Sequence, residues 1–229
     1  MPVNLIRTLI VAAVTIPAIG AFLDYHERNL VRDALTSAVA SCMNVTIPPE
    51  PAIAACSAVI RSDAKAAWAY TNRGLAYSSS LDQDRAIADL DTAIGINPTY
   101  AMAYAIRAAA YGVKGDWDRA LADNTRAIEI NPADALSYSN RAVGYIIKGE
   151  YGLAIADATK AIEIDPKLAA AYNNRGDAAE KSGDIDRAIA DYRDALRLDP
   201  GARRMKEALL RLHQSDPMVP IDGHKPGLN

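Results

Sequence analysis

Four prolines, Pro98, Pro132, Pro166 and Pro200, recur every 34 residues, and the residues before each keep one register. Tyr70, Tyr104, Tyr138 and Tyr172 align, as do Arg73, Arg107, Arg141 and Arg175. Ala86, Ala120, Ala154 and Ala188 form a further column, and Ala93, Ala127, Ala161 and Ala195 another. A period of this length means supersecondary units that cannot bury their apolar faces alone and must stack on one another. Small residues at Gly74, Ala108, Ala142 and Gly176, and in the Ala86 column, let two helices of a unit cross closely; a Leu there would push them apart. Asp82, Asp116 and Asp184 stand where a carboxylate caps the second helix, and each proline ends one. One Phe in a chain rich in Ala disfavours a β-sandwich or barrel and suits helices packed through small side chains.

Each unit resembles a tetratricopeptide repeat (TPR): an aromatic early in the first helix, a small residue four later, Tyr three further on, then Ala, Ala and a closing Pro. The segment AYNNRGDAAEKSGDIDRAIADYRDALRLDP is similar to bacterial members that repeat NRG and DRAIAD. The departures are Ala108 and Ala142 for the first-helix Gly, Leu81 for the inter-helix Gly, Ala179 for the Tyr, and GEYGLAIAD in unit three. The resemblance implies an all-α, right-handed superhelical solenoid of helix hairpins. It also implies a non-catalytic protein that binds another protein, a peptide or a helix segment, along the concave face lined by the first helices. Carried over to this sequence, that groove comprises Trp68, Thr71 and Leu75, then Met102, Ala105, Ala109 and Val113, then Leu136, Ser139, Val143 and Ile147, and last Asn173 and Asp177. It is apolar or neutral through three units and polar in the fourth. Clamps that grip a terminal carboxylate need Lys, Arg and Asn at these positions, and units one to three have none. Hydrophobic anchors of a peptide or helix fit the strip instead. Packing against the chain's own termini, or a homo-oligomer, would use the same surface.

The recurrent Arg73 column faces a recurrent Asp89, Asp123, Asp157 and Asp191 column, which reads either as an ion-pair ladder or as solvated surface charge. Shifting unit one back by one period aligns Ala52-Ile53 and Val59-Ile60 with Ala86-Ile87 and Ala93-Ile94, so residues 50–62 and 29–43 read as the helices of a degenerate N-terminal cap. Cys42 and Cys56, one in each, form a disulfide in an oxidising compartment or serve as two small buried hydrophobes. Thr8 to Leu23 carries no charge, and reads as a signal peptide or as an uncleaved membrane anchor. Either places the body outside the cytoplasm, in the periplasm or tethered to the membrane. The expected organisation is 1–23 leader or anchor, 24–66 cap, repeats at 67–100, 101–134, 135–168 and 169–201, a capping helix 202–214 and a disordered tail 215–229.

Other functions find little support. A net charge of −3 offers no basic field for nucleic acid. Two cysteines and the scattered His26, His213 and His224 lack metal-ligand spacing. No phosphate loop or nucleophile motif is present, so neither an enzyme nor a cofactor is expected. An adaptor or scaffold in the cell envelope is the leading expectation, and a fixed structural or self-associating envelope subunit the alternative.

Overall fold

The computed structural model describes residues 17–44 and 46–215, as eleven helices with no strand among them. In chain order these are α1 (Pro17–Met43), α2 (Pro49–Ser62), α3 (Ala67–Ser79), α4 (Gln83–Ile96), α5 (Ala101–Val113) and α6 (Trp117–Ile130). There follow α7 (Ala135–Lys148), α8 (Tyr151–Ile164), α9 (Ala169–Ser182), α10 (Ile185–Leu198) and α11 (Arg203–Ser215). Four hairpins, α3–α4, α5–α6, α7–α8 and α9–α10, stack as a right-handed solenoid, with α1–α2 packed before them and α11 after.

Local chemistry sets the hairpins. Asp82, Asp116 and Asp184 accept the backbone N–H three residues on, at 3.1, 3.1 and 3.2 Å, and so satisfy an orphan donor of the second helix. Hydrogen bonds from Arg85 and Arg119 hold the carboxyls of Asp82 and Asp116 below the usual range. Glu150 makes no such cap in unit three. Asn97, Asn131, Asp165 and Asp199 leave the helix with φ near −130°. Each precedes a proline, whose ring disfavours helical backbone in the residue before it.

Between the helices of a hairpin, one position takes the left-handed conformation: Leu81 at φ 62°, Gly115 at 77°, Gly149 at 78° and Gly183 at 90°. Glycine adopts this at no steric cost, whereas Leu81 is strained there.

The helix crossings explain two of the departures from the repeat pattern. A Cβ on Gly74 would lie 2.9 Å from Leu90 Cγ, and one on Gly176 3.0 Å from the Tyr192 ring. In unit three the second-helix residue at that register is Ala158, and in unit two it is Asn124; there Ala108 and Ala142 take the glycine's place and are buried. Where the facing residue is large the crossing position is glycine, and where it is smaller an alanine fits.

The charge columns form a ladder that both closes units and joins them. Arg73, Arg107, Arg141 and Arg175 each grip the aspartate of their own second helix through Nε and Nη2, at 2.7–2.9 Å. Each spare Nη1 donates to the preceding unit, reaching Ser57, Asp91, Thr125 and Thr159 in turn. The aspartates are buried, and the bonds raise all four guanidinium pKa values above their ordinary value. Solvated surface charge is therefore not what these columns are.

At the N-terminal end, α1 begins at Pro17, earlier than the helix expected from residue 29. The expected leader through residue 16 and the tail from 216 lie outside the described residues. Among the described residues no helix is long and apolar enough to cross a membrane. Cys42 and Cys56 are joined as a disulfide between α1 and α2, buried with Val59, Ala66 and Ala69. At the other end Ala208, Leu209 and Leu212 of α11 cover Ala179, Ala188, Ile189 and Tyr192, which would otherwise be bare apolar surface.

Candidate functional site

The structure divides the expected groove residues into three groups. Thr71 and Ser139 are wholly buried and are not groove residues. The Thr71 hydroxyl donates to the Ala67 carbonyl at 3.0 Å, and the Ser139 carbonyl and hydroxyl oxygens both lie 3.0 Å from the Asn174 amide nitrogen that donates to them. A polar residue one register step from the open face has turned into the helix contact and found its partner there.

A second group is engaged by the ends of the solenoid. Trp68 is half-buried against the disulfide cluster of α1 and α2, with Val39, Ala55 and Ile60. Leu75 lines a small cavity beneath the same cap, beside Cys42, Ile47 and Pro49. Asp177 is paired with Arg204 of α11 at 3.4 Å and with Lys181 at 3.8 Å. Next to it Glu180 accepts from the Tyr192 hydroxyl at 2.8 Å and pairs with Arg211. Burial, and then that bond, push the Tyr192 phenol well above its ordinary value. Asn173 donates to Asn174 at 3.3 Å and lines this polar recess. Asp177 and Glu180 on the fourth unit's first helix are thus paired with arginines of α11.

The third group is open. Met102 is 51% exposed, Val113 65%, Leu136 57% and Ile147 57%; Ala109 is exposed, while Ala105 and Val143 are half-buried. Met102, Ala105, Ala109 and Val113 follow one another at helical spacing along α5, and Leu136, Val143 and Ile147 do so along α7, so each set keeps to one face.

Between α5, α6 and α7 the surface sinks into a cavity of about 280 Å³. Ala108, Ala109, Val113 and Val143 line it with Trp117, Asn124 and Asn140. Gly112 leaves room for the indole, since a Cβ there would lie 3.2 Å from the Trp117 ring. Asn124 is 2% exposed, and its Oδ1 has no hydrogen-bond partner. An unmatched buried amide oxygen costs about 1–3 kcal/mol, so its presence at a cavity calls for a reason. Trp117, Asn124 and Asn140 were not among the residues read from the sequence. The signal was there: at one register stand Leu90, Asn124, Ala158 and Tyr192, a single amide in an otherwise packing column. Among the described residues no cluster of His, Cys, Asp and Glu could hold a metal ion.

A helical solenoid with an open apolar face between two covered ends is a protein-binding scaffold in architecture. Family models described as tetratricopeptide repeat match residues 69–100 and 135–168, and a second such model matches 169–201. Three of the four hairpins are thus tetratricopeptide repeats, the units of a family of scaffolds for protein–protein interaction. The matched spans flank residues 101–134, the unit that carries Trp117 and Asn124. No curated protein matches the sequence. Among solved structures, a crystal structure of MamA is similar at 27% identity and a TM-score of 0.59, over 68% of this chain and 91% of that one. MamA from Desulfovibrio magneticus RS-1, residue 41 to the end, shares the fold at 19% identity and a TM-score of 0.62, over 76% and 96%. So does YrrB, described as a TPR protein with an unusual peptide-binding site, at 20% identity and 0.58, over 70% and 82%.

Proposed function

We propose that this protein binds an apolar segment of another protein along the open face of units two and three, as an adaptor or scaffold in the cell envelope. The observation that carries the reading is the exposure of Met102 and Val113 on α5 and of Leu136 and Ile147 on α7, with a cavity between α5, α6 and α7 that Val113 and Val143 help to line. Large apolar side chains exposed together on neighbouring helices mark interaction sites, and each anchor buried there contributes about 1.5–3 kcal/mol before ordering costs. Placement in the envelope is supported by the uncharged run Thr8 to Leu23 and by a disulfide, which persists in oxidising compartments. YrrB, with its peptide-binding site, makes a peptide ligand a reasonable expectation for a chain of this fold. A second reading, a fixed or self-associating envelope subunit, is supported by Tyr25, Leu30 and Val31, which α1 exposes.

The test is affinity capture from the envelope fraction with the wild-type chain and with Met102→Glu, Leu136→Glu, both side chains being more than half exposed. A protein retained by the wild type and lost from a folded double variant supports the groove. Equal retention by both sinks it, and a stable oligomer on size exclusion that persists in the double variant favours the second reading.

A further inference from the structure

Helix α1 is about twice the length of the helix it packs on, 27 residues against the 14 of α2. Only its C-terminal part meets the solenoid, where Leu35, Ala38 and Val39 are half-buried and Cys42 is buried. Between Tyr25 and Ala34 every described side chain except Asn29 is exposed, Tyr25, Leu30 and Val31 among them. A helix bare on all sides gains little from packing and ordinarily bridges two bodies. One body here is the solenoid. The other is legible at the opposite end: α1 begins inside the uncharged run Thr8 to Leu23, and Asp24, Glu27, Arg28, Arg32 and Asp33 follow that run. We propose that the run is kept as a membrane anchor, and that α1 is a stalk holding the solenoid off the bilayer. The proposal rests on the envelope placement above and decides between the two leaders that the sequence leaves open.

The small residues that a signal peptidase would read, Ala18 and Gly20, lie inside α1, whose helix runs through Ala21 to Met43. Proteases bind their substrates as extended strands, and this site is helical. Pro17 does not interrupt it, because it stands at the first position of α1, where proline is tolerated. The residue order across Leu23 is that of a bilayer interface: apolar Phe22 and Leu23, then Asp24 and the polar-tipped aromatic Tyr25. Counted from Leu5, only Arg7 is charged before Asp24, a length within the roughly 17–25 residues that cross a bilayer. Arg7 sits near the end of that stretch, where its stem reaches the headgroups. The Cys42–Cys56 bond puts the side C-terminal to the run in an oxidising compartment, so the amino terminus stays in the cytoplasm. The charges that follow Leu23 keep α1 itself out of the hydrocarbon. From Leu23 to Leu35, at about 1.5 Å per residue, the stalk is about 18 Å long. The disulfide ties its base to α2, so the solenoid is held at that height rather than swinging on a loose linker.

The full chain, tagged at its C-terminus, is expressed in a bacterial host, fractionated, and weighed intact by mass spectrometry. The expected result is a protein that keeps residues 1–23, stays in the membrane through an alkaline carbonate wash, and exposes its body to protease added outside spheroplasts. Gly20→Leu, which blocks the small residue a signal peptidase needs, should then change neither the fraction nor the mass beyond the substitution itself. A mature chain that starts at Ala21 and is free in the periplasm overturns the anchor, as does a longer species that appears only in Gly20→Leu. A full-length chain released by carbonate as an oligomer also overturns it, since α1 then meets a second copy and not lipid. The stalk is tested by Leu30→Pro, which breaks the helix away from α2 and should leave the solenoid's thermal melt unchanged. Trypsin should cut membranes bearing that variant at Arg28 or Arg32 about tenfold faster or more than wild type. Equal rates overturn the rigid stalk. None of these changes touches Met102 or Leu136, so a cleaved, periplasmic chain sinks the anchor and leaves the groove reading standing. A full-length chain soluble in the cytoplasm sinks the anchor and the envelope placement together.

Discussion

Replacing Arg141 with Met removes the guanidinium from the middle of the ladder while keeping an unbranched stem between neighbouring helices. Two charge-assisted bonds to Asp157, at 2.7 and 2.9 Å, and one to Thr125, at 3.2 Å, are broken. Asp157, with its side chain 11% exposed, is left buried and unpaired. Breaking a pair of this kind from one side costs about 3–5 kcal/mol, most of it the desolvated charge that remains. Loss of the cation's contact with the Tyr138 and Tyr145 rings, 5.6 and 5.9 Å away, adds about 0.5–1 kcal/mol. Urea unfolding followed by far-ultraviolet circular dichroism, with linear extrapolation, reads the difference. Removing both charges, as Arg141→Met with Asp157→Leu, should recover most of the loss, because no uncompensated charge is then buried. Thr125→Val should cost only about 1 kcal/mol, the worth of one bond between units. A loss below about 1 kcal/mol for Arg141→Met would refute the reasoning, since that is what an exposed pair contributes. A double variant as unstable as the single one would refute the claim that the stranded charge dominates.

Two further perturbations address the turn and the cap. Leu81→Gly should stabilise the chain by about 0.5–1 kcal/mol: relief of the left-handed strain, about 1–2 kcal/mol, exceeds the added flexibility of the unfolded chain, and Leu81 is 80% exposed and forfeits little packing. The same urea titration detects it, and an unchanged or lower midpoint counts against the strain. Reducing the Cys42–Cys56 bond, or changing both to Ser, should cost about 3 kcal/mol from the short loop it closes, and should do so first in α1 and α2, as an early phase in hydrogen exchange. Uniform exchange across the whole solenoid would show that the cap is not a separate unit.

What the sequence determined by itself was everything that repeats. A 34-residue period implies contacts made mostly with adjacent helices, so hairpins, small crossing columns, proline-set helix ends and the Arg–Asp columns are each legible several times over. The two charge columns were legible, but only the fold showed that they pair rather than face solvent, and that each arginine also reaches back to the preceding unit. The tertiary structure decided what does not repeat. Trp68 and Leu75 lie under α1 and α2, and Asp177 is paired by α11, because the ends of a solenoid are covered by elements outside the period. Thr71 and Ser139 turned inward, since exposure depends on the neighbouring helix and not on register alone. The cavity beside Asn124 is lined from three helices: sequence spacing shows the one amide in its column, and only packing shows the space beside it.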